Sequence, residues 1–134
     1  VAHNQASFSQ LIKTLQDFWG VKKAVFLLGL LEKKDYKGIT QELKGFASRV
    51  FLTLPLNPKA ILPQIISPYL AGEGIEVEIV KDLFQARDLA FQFAQEEKLP
   101  LVVAGSFYLA PLFAHQLLLP QEEEENYVNS SRKN

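Results

Sequence analysis

The sequence predicts a three-layer α/β/α fold, doubly wound about a mostly parallel sheet, and three observations lead to that reading. Short continuous apolar runs, Ala24 to Leu28 and Leu101 to Ala104 among them, have the composition of strands buried on both faces. Between the runs lie segments whose apolar residues recur every three or four positions, the spacing that lines one face of a helix. The two kinds of segment alternate, and strands separated by helices pair in parallel through right-handed crossovers.

The first element is a helix over Ser7 to Trp19, because Phe8, Leu11, Ile12, Leu15 and Phe18 share a helical face and Gly20 follows. Ala24 to Leu28 is the first strand and leads through Gly29 into a charged loop, Glu32 to Lys37. A helix over Ile39 to Phe46 and a strand over Arg49 to Thr53 come next. Two prolines make Leu54 to Pro58 a loop, and Pro63 and Pro68 limit or split a helix placed over Lys59 to Leu70. In Ile75 to Val80 the apolar Ile75, Val77 and Ile79 alternate with Glu76 and Glu78, which predicts a strand near the sheet edge with one wetter face. Asp82 is a natural N-cap for a helix that buries Leu83, Ala86, Leu89, Ala90 and Phe93.

The fourth strand, Leu101 to Ala104, runs into Gly105 and Ser106. A last helix is expected from about Ala110, where Pro111 suits a first turn, to Leu119. Beyond Pro120 the block Glu122 to Glu125 and a polar end are expected to stay solvated and disordered. The reading is a single folded domain over residues 1–119 with an acidic tail over 120–134.

Composition narrows the function classes. Hydrophobic residues make up 48% of 134 and charged residues 22%, enough for one sizeable core and unlike a disordered chain. Fourteen basic against 15 acidic residues give a net charge of −1, which provides no general attraction for a nucleic-acid backbone or an anionic membrane. The absence of cysteine rules out disulfides, thiolate nucleophiles and cysteine-ligated zinc. It suits a reducing compartment, so the expected location is the cytoplasm, and no apolar run approaches the about 20 residues of a membrane span. The opening Val1 is expected to mark a processed chain or a piece of a longer one.

Chemistry is expected at two helix starts: His3 and Asn4 ahead of the first helix, and Gly105 and Ser106 after the fourth strand. Unpartnered backbone N–H groups and a positive dipole end can hold a phosphate or carboxylate there. Asn and Ser are also common N-caps, so capping and ligand contact both stand as readings of Asn4 and Ser106. A third candidate is the loop Glu32 to Tyr36, where Lys34 and Asp35 would meet a phosphate or a neighbouring domain, or else form a solvated face. His115 has no second ligand at metal spacing, and no metal site is assigned. The sequence contains no P-loop, no G-x-S-x-G elbow and no G-x-G-x-x-G, so a complete catalytic apparatus is not present in it.

Four stretches in order resemble the folylpolyglutamate synthase and dihydrofolate synthase family of Mur ligase-like enzymes. Val1-Ala2-His3-Asn4 is similar to that family's G/V-A-H-N-P, with Gln5 in place of Pro, and the Asp that precedes the motif is not in this sequence. Lys34-Asp35-Tyr36 matches the end of A-D-K-D-Y, Lys33 replacing its first Asp. Arg49 to Thr53 with Asn57-Pro58-Lys59-Ala60 is similar to R-V-x-L-T with a later P-R-A. Val103 to Leu109 is close to V-x-G-S-x-Y-L.

The resemblance implies a Rossmann-like Mur ligase C-terminal domain and an enzyme that uses ATP and Mg²⁺ to phosphorylate the terminal carboxylate of a folate, after which the amine of glutamate displaces phosphate. It also implies a partner, an N-terminal P-loop ATPase domain of the same enzyme that holds nucleotide and metal. His3 and Ser106 would then be the catalytic residues, with Asn4, Gly105, Lys34 and Asp35 in substrate or nucleotide binding. A central strand is expected to be missing from this chain, leaving four strands and an exposed seam. The alternatives are a cell-wall Mur ligase domain, with the same architecture and a nucleotide-linked peptide as substrate, and a non-catalytic anion-binding module.

Overall fold

The computed structural model describes residues 5–104. The expectations for His3, Asn4, Gly105, Ser106, the last helix and the 120–134 tail therefore lie outside the described residues. Within them the chain forms α1 (Gln5–Asp17), β1 (Ala24–Leu28), α2 (Tyr36–Leu43), β2 (Ala47–Leu52), α3 (Pro63–Gly72), β3 (Glu76–Ile79), α4 (Leu83–Glu97) and β4 (Leu101–Ala104). The strands pair in the order β3-β2-β1-β4, every pair parallel.

β1 sits at the centre because its sequence, AVFLL, offers apolar side chains to both faces, and all five residues are buried. Successive side chains alternate between faces. Ala24, Phe26 and Leu28 join the core built with Phe8, Ile12 and Leu15 of α1, Ile39 and Leu43 of α2, and Ile66 and Leu70 of α3. Val25 and Leu27 join the second core with Leu83, Ala86, Ala90 and Ala94 of α4. Three helices thus cover one face and α4 the other, which is the expected three-layer arrangement.

The four strands form one unbroken ladder, with Leu28 opposite both Leu52 and Ala104. The seam expected from a missing central strand is not found between them, because β1 takes a parallel partner on each side. Free sheet edges among the described residues occur only at β3 and β4.

Helix boundaries moved where caps decide them. α2 begins at Tyr36 rather than Ile39, since the Asp35 carboxylate accepts the Gly38 N–H at 3.0 Å, and the chain leaves the helix before Gly45 (φ +77°). The expected last residue of that helix, Phe46, is instead a core residue edge-on to Phe26. α3 starts at Pro63, whose ring presets φ and whose missing N–H costs nothing in a first turn, and Pro68 sits inside the helix without splitting it.

Phe18 was expected on the buried face of α1 but is 82% exposed. The helix ends at Asp17, and although the Phe18 N–H still bonds Thr14 O at 2.9 Å, the Phe18 ring lies outside the core and stands edge-on to Trp19 as the chain turns toward Gly20 (φ +68°). β3 is an edge strand, as expected, and its Glu76 and Glu78 pair with Arg49 at 2.8 and 3.6 Å. The Arg49 guanidinium lies over the Phe93 ring at 4.3 Å.

These burials set opposite outcomes for two phenylalanines. Phe26→Ala is expected to cost about 3–5 kcal/mol of unfolding free energy, and Phe18→Ala to stay within about 0.5 kcal/mol, as measured by urea denaturation.

Candidate functional site at the strand carboxyl ends

In an open α/β sheet, ligands bind beyond the carboxyl ends of the strands, at the point where the strand order reverses. Here β1, β2 and β3 are laid down in one direction, and then the chain crosses back through α4 to place β4 on the other side of β1. The reversal therefore lies between β1 and β4, at Leu28 and Ala104. The loop after β1 carries Lys34 and Asp35, and the chain after β4 continues to Gly105 and Ser106.

The start of α1 belongs to the same end of the sheet. The Gln5 side chain donates from Nε2 to Glu42 Oε1 of α2 at 3.2 Å. A Cβ built on Gly38 would overlap the Asp35 carboxylate and come within 2.7 Å of Gln5 Oε1, so Gly38 leaves the space in which these two side chains meet. The starts of α1 and α2 are thus side by side at the carboxyl rim, and the chain approaches Gln5 from His3 and Asn4.

The rim is stitched together by backbone bonds. The buried Thr53 donates its N–H to Leu28 O at 3.0 Å and its hydroxyl to Lys81 O at 3.2 Å, joining the ends of β1 and β2 to the chain after β3. The loops after β1 and β2 meet as a short antiparallel bridge, Leu31 with Ala60. Glu32 N donates to Lys59 O at 2.7 Å and Ile61 N to Leu30 O at 2.8 Å. Asn57 closes its own turn by accepting the Lys59 N–H at 2.8 Å.

Of the candidate site residues, the structure brings Lys34 and Asp35 to this rim. Asp35 is exposed, but one of its oxygens is engaged as the α2 cap, and its charge already complements the dipole at the helix start. Lys34, partly buried, donates its backbone N–H to Leu31 O at 3.3 Å within the turn that shapes the loop. Sequence reasoning missed Gln5, Gly38 and Thr53. Gln5 finds its partner 37 residues away, which no local pattern reveals. A threonine directly after a strand was the one available hint for Thr53.

Among the described residues no group of three or more His, Cys, Asp or Glu side chains is placed to hold a metal ion. They do not fit a resident Mg²⁺ site. A shallow cleft of about 220 Å³ lined by Phe91, Ala94, Lys98, Leu99 and Pro100 lies at the opposite, amino-terminal end of the sheet. No helix among the described residues is long and apolar enough to cross a membrane.

Capping by Asp35 has a measurable signature. Asp35→Ala is expected to lower stability by about 1 kcal/mol, whereas Asp35→Asn, which keeps the accepting oxygen, should change it by a few tenths, read from the shift in urea midpoint at constant m-value.

Comparison with known proteins adds a family to this geometry. The model of a family described as Mur ligase, glutamate ligase domain, matches residues 1–107. The chain is similar to the dihydrofolate synthetase of Saccharomyces cerevisiae, 28% identical over 116 residues, a match that covers 81% of this chain and 27% of the yeast protein. In structure it resembles Mycobacterium tuberculosis folylpolyglutamate synthase complexed with ADP and AMPPCP, with a TM-score of 0.77 and 23% identity over 90% of this chain and 29% of that one. It also resembles the Yersinia pestis bifunctional folylpolyglutamate synthase/dihydrofolate synthase complexed with AMPPNP and Mn ion, at a TM-score of 0.60 and 22% identity over 88% of this chain and 28% of that one. At these identities the solved structures establish the fold. The chain spans little more than a quarter of the length of the curated relative.

Proposed function

The chain belongs to the Mur ligase family, as its glutamate ligase domain, and from that premise we propose that it is the C-terminal domain of an ATP-dependent ligase that joins glutamate to a folate. The observation that carries this reading is the family match over residues 1–107, together with the yeast dihydrofolate synthetase as a relative along most of the chain. The position of the strand reversal, beside the loop that holds Lys34 and Asp35, supports it physically.

The reaction has two steps. A carboxylate oxygen of the folate attacks the γ-phosphorus of ATP and releases ADP, and the amine of glutamate then attacks the carbonyl carbon of the acyl phosphate. Phosphate leaves with the C–O bonding pair, and the amine loses a proton as the amide forms. Mg²⁺ would neutralise charge on the transferring phosphoryl group. The described residues supply no site for the ion, and the sequence has no P-loop, so both nucleotide phosphates and metal are assigned to an N-terminal P-loop ATPase domain of the same enzyme.

This chain's contribution is orientation and exclusion of water. His3, entering α1, and Ser106, after β4, would flank the reversal between β1 and β4, with Asn4 and Gly105 offering backbone N–H groups to a carboxylate or phosphate. The Lys34 ammonium would attract the same anions. Asp35 would hold the loop in shape through its cap on α2. Holding amine and acyl phosphate in contact removes much of the entropic barrier, and closing the rim over them keeps water from the intermediate. A cysteine-free chain acting on these substrates is assigned to the cytosol.

The test uses the full-length enzyme. His3→Ala and Ser106→Ala are each expected to lower kcat/KM for glutamate on the order of 10²-fold with the melting temperature nearly unchanged, the size of effect seen when one stabilising donor is removed. A pure capping role would reverse the pattern, lowering stability by about 1 kcal/mol and leaving turnover alone. The 134-residue chain by itself is expected to show no ATP turnover; steady hydrolysis by it, or glutamate-independent ligation of a nucleotide-linked peptide by the full enzyme, would refute the folate reading.

A further inference from the structure

α3 has a composition that its surroundings do not explain. Its sequence, PQIISPYLAG, contains no charged residue, whereas α1, α2 and α4 each carry both basic and acidic side chains. One face, with Ile66 and Leu70, is buried in the core, as for any surface helix. The flank beside that face carries Leu62, Ile65 and Tyr69, spaced by three and four residues so that they share a stripe, and these remain 45%, 46% and 40% exposed. Leu56, in the loop feeding the helix, is 65% exposed. Apolar residues beyond the core face of this charge-free helix make a contiguous exposed apolar surface, and such a surface marks an interface.

The edge of this stripe is basic. Lys37 holds its ammonium 5.4 Å from the centre of the Tyr69 ring. Lys59 and Lys33 are joined to it through the bridged rim loops, where Glu32 N meets Lys59 O at 2.7 Å. None of the three takes part in the ion pairs formed among the described residues, and all three are exposed. Lys33, Lys37 and Lys59 outnumber the exposed Glu32 and Asp35 of the same loops, so two copies meeting through this face would join surfaces of like net charge, which disfavours self-association.

We propose that the exposed apolar flank of α3, with its lysine edge, docks on the ATP-binding part of the same enzyme, against an apolar surface fringed with Asp and Glu. The chain spans 29% of the Mycobacterium tuberculosis relative and 27% of the yeast one, so proteins of this kind have most of their length available as that partner. The stripe begins at the carboxyl rim, where α3 starts, and is therefore continuous with the face that closes over the substrates. An apolar centre with a polar edge is the composition of a protein interface. This inference rests on the proposed reading as one domain of a larger ligase.

Hydroxyl-radical labelling of the full-length enzyme tests it, with Phe84 and Phe91 on α4, 49% and 39% exposed, as internal controls. After correction for intrinsic side-chain reactivity, Leu62, Ile65 and Tyr69 are expected to label at least about fivefold less than the controls. Ile65→Glu should bring Leu62 and Tyr69 back to the control level and lower kcat/KM on the order of tenfold. Equal labelling of stripe and controls in the wild-type enzyme would overturn the proposal, as would protection that disappears on dilution in step with dissociation of a dimer. Labelling does not depend on turnover, so a full-length protein that protects the stripe but ligates no folate would refute the functional reading and leave the docking surface standing.

Discussion

The structure depends on its central strand being dry on both sides. β1, flanked by β2 and β4, is the middle of the three strands whose single layer of backbone separates the core beneath α1, α2 and α3 from the core beneath α4, and all five of its residues are buried. Because its hydrogen bonds are shared between β2 and β4, it also fixes where the strand order reverses. Burial of Val25 and Leu27 on one side and Phe26 and Leu28 on the other thus does more than stabilise the domain. It sets the one point on the rim from which neighbouring loops depart in different directions, and that is where this architecture can receive a ligand.

Much of this was legible in the sequence. Both fully buried strands are continuous apolar runs, the Glu-alternating Ile75 to Val80 announced an edge, and Asp82 marked the start of α4, where its carboxylate accepts the Gln85 N–H at 2.8 Å. The errors arise where a single residue outweighs periodicity. Asp35 pulls the start of α2 back into what looked like loop, Pro63 delays the start of α3, and α1 stops at Asp17, which leaves Phe18 past the last turn and exposed despite its spacing. Beyond that edge the strand order was not legible, since alternation of strands and helices is equally consistent with a missing central strand and with the unbroken ladder observed among the described residues.

The candidate site shows the same division. Residue type and spacing drew attention to Lys34 and Asp35, but not to the fact that Asp35 spends one oxygen on its own helix. Long-range partners had no local signal: Gln5 braces α1 against α2, and Thr53 ties together three strand ends through two bonds. These residues make the rim stiff, and stiffness is what a domain needs if it contributes orientation to a reaction whose phosphates and metal are held elsewhere.

The most direct measurement is a crystal structure of the full-length enzyme with a non-hydrolysable ATP analogue and L-glutamate bound. The account predicts that bound ligand atoms approach residues 34–35 or 105–106 to hydrogen-bonding distance, about 3.2 Å or less, beside the ends of β1 and β4. Ligand seated instead at the amino-terminal end of the sheet, against Lys98 to Pro100, would contradict it.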